Sequence, residues 1–173
     1  IKSDRLVFVI DTSGSMMASN AGGGMMGGGA PGGAASPDSR IEKAKAQLIG
    51  AIDALGPKTR FTIVAYSGVL TVGQGGVPTE PPGTKPNGLL PPKIANIEWR
   101  KTWKGKLMPA NDKSKASAKA FVKSLKAEGG TFTLNAIKAA FEIKGMDTIV
   151  LLSDGMPSEF NFTAKRQMST DDI

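Results

Sequence analysis

Leu6-Val7-Phe8-Val9-Ile10-Asp11-Thr12-Ser13-Gly14-Ser15 is the stretch on which the reading of this chain turns. Five consecutive apolar residues, two of them Val and one Ile, describe a strand buried on both faces, the kind found inside a parallel sheet. The run stops abruptly in small oxygen-bearing side chains. Asp11, Ser13 and Ser15 alternate, and Gly14 leaves the backbone room to turn. Open α/β sheets place their ligands at the carboxyl ends of central strands. Carboxylate and hydroxyl oxygens are the donors that a hard cation prefers. The turn is therefore a candidate metal site, and the remaining ligands must come from elsewhere in the chain.

Working outward, residues 18–36 form a Gly- and Met-rich insertion with no periodicity, read as a surface loop. It lacks the Gly-Lys-Ser/Thr ending of a phosphate loop. Its methionines suit an adaptable rim beside the site. Ser39 and Glu42 then form a capping box. Ile41, Ala44, Leu48, Ile52 and Leu55 recur at helical spacing until Gly56-Pro57. Phe61 to Tyr66 is a second strand. Ser67-Gly68 reads as a turn into a short antiparallel edge strand over 69–72. Residues 73–93 are a Gly/Pro-rich excursion, after which one or two short strands are expected before Leu107. Trp99 and Trp103 are expected to pack beneath that excursion.

Asn111 or Asp112 caps the next helix, with Ala118, Phe121, Val122 and Leu125 as its apolar stripe and Gly129-Gly130 as its stop. A third helix follows on Leu134, Ile137, Ala140 and Phe141, with Thr133 as the expected N-cap and Gly145 at its end. Thr148 to Leu152 is a second doubly buried strand, leading into Ser153-Asp154-Gly155. The tail is polar, and Ser169 or Thr170 is placed to cap a helix. Strands alternating with helices predict one α/β domain over residues 1–173. Its expected form is a three-layer, Rossmann-like sandwich with a mainly parallel sheet and one antiparallel edge strand.

Composition narrows the chemistry. The 173 residues hold no Cys and no His. That removes disulfides, thiolate nucleophiles, the usual zinc ligands and His-based acid–base catalysis. The net charge of +7 favours anionic partners. No aromatic-interleaved basic motif points to nucleic acid, and no run is long enough to span a membrane. Lys113 to Lys126 forms a basic face, either solvated or a docking surface for an acidic partner. Because the first residue is Ile, the chain is expected to be a processed product or an excised region.

In a parallel sheet the turns at Asp11 and Asp154 lie at the same edge, and Gly130-Thr131 opens a helix there too. Asp11-x-Ser13-x-Ser15, Thr131 after a Gly-Gly pair, and Asp154 after a buried strand together resemble the metal-ion-dependent adhesion site of a bacterial-type von Willebrand factor type A domain. The resemblance covers most of the chain from Asp4 to Asp154. It implies Mg²⁺, with Mn²⁺ or Ca²⁺ as substitutes. Ser13 and Ser15 would bind the ion directly, Thr131 directly or through water by state, and Asp11 and Asp154 largely through water. It also implies a non-enzymatic binding module, whose ion is completed by an Asp or Glu carboxylate from a partner protein, in an extracytoplasmic or membrane-anchored setting. The family usually continues with a further strand and helix after the Asp154 turn, where this chain has a short polar tail. Two other functions compete. One is a structural assembly subunit with an incidental metal site. The other is a Mg²⁺-dependent phosphoryl-transfer enzyme with Asp11 as nucleophile, although such enzymes place an acid where this chain has Ser13.

Overall fold

The computed structural model describes residues 4–18, 36–71, 95–154, 160–161 and 166–167. Strand β1 (Arg5–Asp11) is central. It pairs in parallel with β2 (Arg60–Thr71) on one side and with β4 (Thr148–Leu152) on the other. An antiparallel β3 (Ala95–Pro109) closes the far side of β2, giving the sheet order β3-β2-β1-β4. The fold is thus the mainly parallel α/β sandwich with an antiparallel edge that the alternating pattern predicts.

The β1 side chains explain the three layers. Phe8 and Ile10 point to one face, where Ile41, Leu48 and Ile52 of α1 (Arg40–Ala54) and Ala118 and Val122 of α2 (Asp112–Ser124) meet them. Val7 and Val9 point to the other, against Ala136 and Ala140 of α3 (Thr133–Phe141). These side chains are all almost fully removed from water. Burying each of the large aliphatic ones is worth about 1.5–3 kcal/mol, so the sheet edge that carries the polar turns stands on a firm scaffold. Ser39 caps α1 by accepting from the Glu42 N–H, and Asn111 caps α2 by accepting from the Ser114 N–H at 2.9 Å.

Several expectations are corrected. Ser67-Gly68 is no turn: β2 runs straight through it to Thr71, and the antiparallel edge strand is β3 instead of 69–72. Gly68 stays in the ladder opposite Glu98, and its carbonyl also accepts from the Gly130 N–H, an approach that a residue without Cβ allows. One long β3 replaces the one or two short strands expected. Its register slips between Phe61 and Ile63, and Lys104 and Gly105 adopt positive φ there. Trp103 lies in the core, stacked on Phe61 at 5.1 Å between ring centroids.

Helix α2 ends at Ser124, five residues before the first glycine of its expected Gly129-Gly130 stop, because the segment that follows turns its backbone to the polar edge. Phe132, not Thr133, is the N-cap of α3. That helix buries Thr133, Ala136 and Ala140, while Phe141 is 66% exposed. Strand β4 is half-buried rather than doubly buried, with Leu151 44% exposed, because among the described residues it is the sheet's edge. After it come the two-residue strands β5 (Phe160–Asn161) and β6 (Arg166–Gln167), paired antiparallel. The bulk of the 18–36 insertion, the 73–93 excursion, the packing of Trp99 and the Ser169/Thr170 cap lie outside the described residues. Among those described, no helix is long and apolar enough to cross a membrane.

The basic face is partly committed to internal contacts. Lys115 Nζ donates to the Asp53 and Leu55 carbonyls at 3.0 and 2.7 Å, satisfying the carboxyl end of α1, and Lys119 pairs with Asp53 at 2.6 Å. Lys113, Lys123 and Lys126 are exposed.

Candidate metal centre

Register decides where the polar turns fall. Asp11 is the last residue of β1 and lies opposite Tyr66 of β2, while Ile10 lies opposite Leu152 of β4. One step further along β4 comes Ser153, whose hydroxyl donates to Asp11 Oδ2 at 2.8 Å. The other oxygen, Asp11 Oδ1, accepts from the Ser13 N–H at 2.8 Å, the self-bonding turn typical of Asp. The chain then tightens into a 3₁₀ turn (Gly14–Met17), whose Met16 is buried as a plug in the α1-side core.

The loop between α2 and α3 is fastened to this turn through its backbone. Gly14 N–H donates to the Gly129 carbonyl at 2.7 Å, and Glu128 N–H donates to the Thr12 carbonyl at 2.8 Å. A Cβ on Gly14 would stand 3.1 Å from the Gly129 oxygen, close enough that the loop would have to give by a few tenths of an ångström. These bonds bring Thr131 to the motif, where its hydroxyl donates to Ser13 Oγ at 3.0 Å. Ser13 Oγ and Ser15 Oγ are 2.9 Å apart, and Ser15 donates to Asp154 Oδ1 at 3.2 Å. A hydroxyl has one proton to give. Ser15 gives its proton to Asp154, so Ser13 is the donor to Ser15, and the chain runs Thr131, Ser13, Ser15, Asp154. All five residues singled out in the sequence are therefore gathered at one edge. Asp11, Ser13 and Thr131 are buried at its base, and Ser15 is exposed at its mouth.

Two carboxylates stand close together here. Burial raises the Asp11 pKa above its ordinary 3.8. Hydrogen bonds from Ser13 and Ser153 oppose that rise, and the negative charge of Asp154 adds to it. Tyr66 lies beneath them, its hydroxyl 3.3 Å from Thr133 Oγ1. Burial, and secondarily the charge of Asp11, push its phenol upward, so it remains a neutral donor. Arg40, the first residue of α1, reaches Asp154 Oδ2 at 2.5 Å.

The donor set fits a small hard cation. An octahedron with metal–oxygen distances of about 2.1 Å has edges of about 3.0 Å. The Thr131–Ser13 and Ser13–Ser15 oxygen pairs have that spacing. Among the described residues no three Asp, Glu, His or Cys side chains cluster for a metal, so the donors are three neutral hydroxyls and two carboxylates. Beside the site, between α1 and β4, a cavity of about 330 Å³ is lined by Met16, Arg40, Lys43, Gln47 and Asp154 among others.

Sequence reasoning missed Tyr66, Ser153 and Arg40. Tyr66 and Ser153 were within reach, because Tyr66 closes the apolar run of the strand on one side of β1 and Ser153 directly follows the strand on the other, so both fall level with Asp11. Nothing local signalled Arg40, which sits 114 positions before its carboxylate partner.

No protein-family model and no curated protein matches the chain. Among solved structures it is similar to a von Willebrand factor type A protein from Catenulispora acidiphila. The two share 23% identity with a TM-score of 0.48 over 82% of this chain and 23% of that one. It is also similar to the pilus adhesin SpaC from Lactobacillus rhamnosus GG. Here identity is 19% and the TM-score 0.49, over 91% of this chain and 16% of the other. The chain thus spans less than a quarter of either relative's length. Asp11, Ser13, Ser15, Thr131 and Asp154 are the residues on which the resemblance to the von Willebrand factor type A family rests.

Proposed function

We propose that this chain is a metal-dependent protein-binding module, used in adhesion or assembly outside the cytoplasm. In this reading Ser13, Ser15 and Thr131 hold a Mg²⁺ ion through their hydroxyls, and Asp11 and Asp154 hold it largely through water. The observation that carries the reading is the hydrogen-bonded run Thr131–Ser13–Ser15–Asp154, assembled from three separate loops over the buried Asp11. When bound, the ion would supply an under-neutralised positive centre for an Asp or Glu carboxylate of a partner, because hydroxyl ligands carry no charge. The protein's own part is positional. Asp11 fixes the turn through the Ser13 N–H, the Gly14–Gly129 bond fixes Thr131, and exposed Ser15 marks the side from which a partner approaches.

The nucleophile reading is less well supported. Asp11 is fully buried, and each of its oxygens already accepts a hydrogen bond, from Ser13 N–H and from Ser153 Oγ. An attacking carboxylate needs an accessible lone pair aimed at its electrophile.

The test is a calorimetric Mg²⁺ titration of the metal-free protein, reversed with chelator, alongside Ser13→Ala. Wild type is expected to bind one ion, and Ser13→Ala to lose binding while keeping its far-ultraviolet spectrum and melting transition. Equal binding by the two proteins would refute the assignment. Unfolding of the Ser13→Ala protein would make the hydroxyl cluster structural rather than recognitive.

A further inference from the structure

The Arg40–Asp154 contact is an unusual use of an arginine. Arg40 is the first residue of α1, where the aligned peptide dipoles place a partial positive charge. A cation there is locally unfavourable, and acidic side chains suit the position better. The side chain nevertheless closes on Asp154 Oδ2 at 2.5 Å. Asp154 Oδ1 meanwhile accepts from Ser15. One carboxylate thus joins the proposed metal ligands on one side to a guanidinium on the other. The Asp154 side chain is only 11% exposed and that of Arg40 39%, so the pair is screened less than a free surface pair. The Arg40 N–H also donates to the carbonyl of Ala18, at the exit of the ligand turn, which fixes where the guanidinium begins its reach.

We propose that Arg40 is an internal counter-cation of this site, which neutralises Asp154 while the site lacks a divalent ion and is displaced from it when one binds. The inference rests on the metal-binding reading above and adds its regulation. A divalent ion and a guanidinium on the same carboxylate repel each other, and each weakens the other's hold. The displaced side chain has somewhere to go. The cavity of about 330 Å³ between α1 and β4 is lined by Arg40 itself together with Lys43, Gln47 and Asp154, so open space adjoins the guanidinium. Arg40 therefore sets the ion concentration at which the site fills, and Arg40 leaves Asp154 as the site becomes competent for a partner's carboxylate.

The experiment uses Mn²⁺ as the probe. Loss of the free-ion paramagnetic resonance signal is followed in wild type, Arg40→Gln, Arg40→Lys and Ser13→Ala. Arg40→Gln is expected to bind about tenfold more tightly than wild type, the ratio that roughly 1.4 kcal/mol produces. Arg40→Lys should fall between them, since it keeps the charge but not the planar fork. Tighter binding on loss of a side chain is not what damage to a structural contact produces. Binding by Arg40→Gln where wild type shows none would also support the proposal. Equal or weaker binding by Arg40→Gln, with Ser13→Ala abolishing binding, would overturn the proposal and leave the metal site standing. Failure of every protein to bind would overturn both. A second reading needs no variant. In wild type the Arg40 Nε–H resonance is expected to shift and its exchange with water to quicken as Mg²⁺ is added. A resonance unmoved while Mg²⁺ shifts the Ser13 and Ser15 amides would overturn displacement even if Arg40→Gln failed to fold.

Discussion

Asp11→Asn should stabilise the metal-free protein and abolish its response to Mg²⁺. The carboxylate is fully buried, and burial raises its pKa above 3.8 in spite of two hydrogen bonds. Its charged form is therefore less comfortable in the folded state than in the unfolded one. Asparagine keeps an oxygen for the Ser13 N–H. Its amide can donate to Ser153 Oγ, a hydroxyl that accepts as well as donates. The hydrogen bonds nearly balance, and the buried charge disappears together with its repulsion from Asp154. We expect a gain of about 1–2 kcal/mol, or ~2–8 °C in Tm for a chain of this size. Asp11→Ala has the opposite sign. It orphans the fully buried Ser13 N–H and should cost about 1–3 kcal/mol. The assay is thermal and urea unfolding in chelator at pH 7. The pH dependence follows from linkage. A raised folded pKa means that the folded state holds the proton more tightly, so the wild-type penalty is present above the folded pKa. It fades as pH falls through that value toward 3.8. The advantage of Asp11→Asn should shrink over the same window. With Mg²⁺ at about one hundred times its Kd, wild type should gain about 2.7 kcal/mol and the Asn variant nothing. Should Asp11→Asn prove less stable than wild type in chelator, the buried carboxylate stabilises the fold by itself and needs no cation.

Other outcomes can be checked with the same assays. Trp103→Ala removes a side chain that is 5% exposed, stacked on Phe61 and hydrogen-bonded through its indole N–H to Ser117 Oγ at 3.2 Å. It should cost about 3–5 kcal/mol. A loss below 1 kcal/mol would mean that the ring is not part of the core. Gly14→Ala sets a Cβ 3.1 Å from the Gly129 carbonyl and should push the α2–α3 loop outward, carrying Thr131 away from Ser13. Mg²⁺ affinity should then fall several-fold for a stability loss of about 1 kcal/mol. Unchanged affinity would show that the loop's position is not set by that contact.

The central strands and their turns were legible because the same residues satisfy two constraints at once. Val7 and Val9 serve one core and Phe8 and Ile10 the other, so a continuous apolar run means a strand covered on both faces. β3 was not legible. Its register slips opposite Phe61–Ile63, and the left-handed Lys104 and Gly105 break the period-two pattern a strand is recognised by. The Ser67-Gly68 turn signal failed for a tertiary reason. Gly68 lies inside β2 and bridges to Gly130, a pairing 62 residues away that leaves no local trace. The α3 stripe was misjudged because its contact with the sheet is made by Thr133, Ala136 and Ala140. Of the expected stripe Ala140 is buried, Leu134 and Ile137 are half-buried, and Phe141 at the helix end is exposed.

The same contrast runs through the site. Asp11, Ser13 and Ser15 could be read because one turn holds all three, and Thr131 and Asp154 because their own strand and helix boundaries place them. What makes the five a unit is the backbone lacing of Gly14 to Gly129, Thr12 to Glu128 and Gly68 to Gly130, which no side-chain pattern encodes. That lacing is anchored on the buried end of β1 and the middle of β2, so the hydroxyls are held in place by the core as well as by one another. The hydrogen bonds within the cluster are each worth about 1 kcal/mol, little enough for a cation to replace. In the proposed metal-binding reading, a scaffold this firm beneath contacts this weak would let an ion exchange the hydroxyl chain for its own coordination without moving a strand. On that ground, Ser13→Ala and Asp11→Asn are expected to separate binding from folding, where a substitution at Val9 or Ile10 could not.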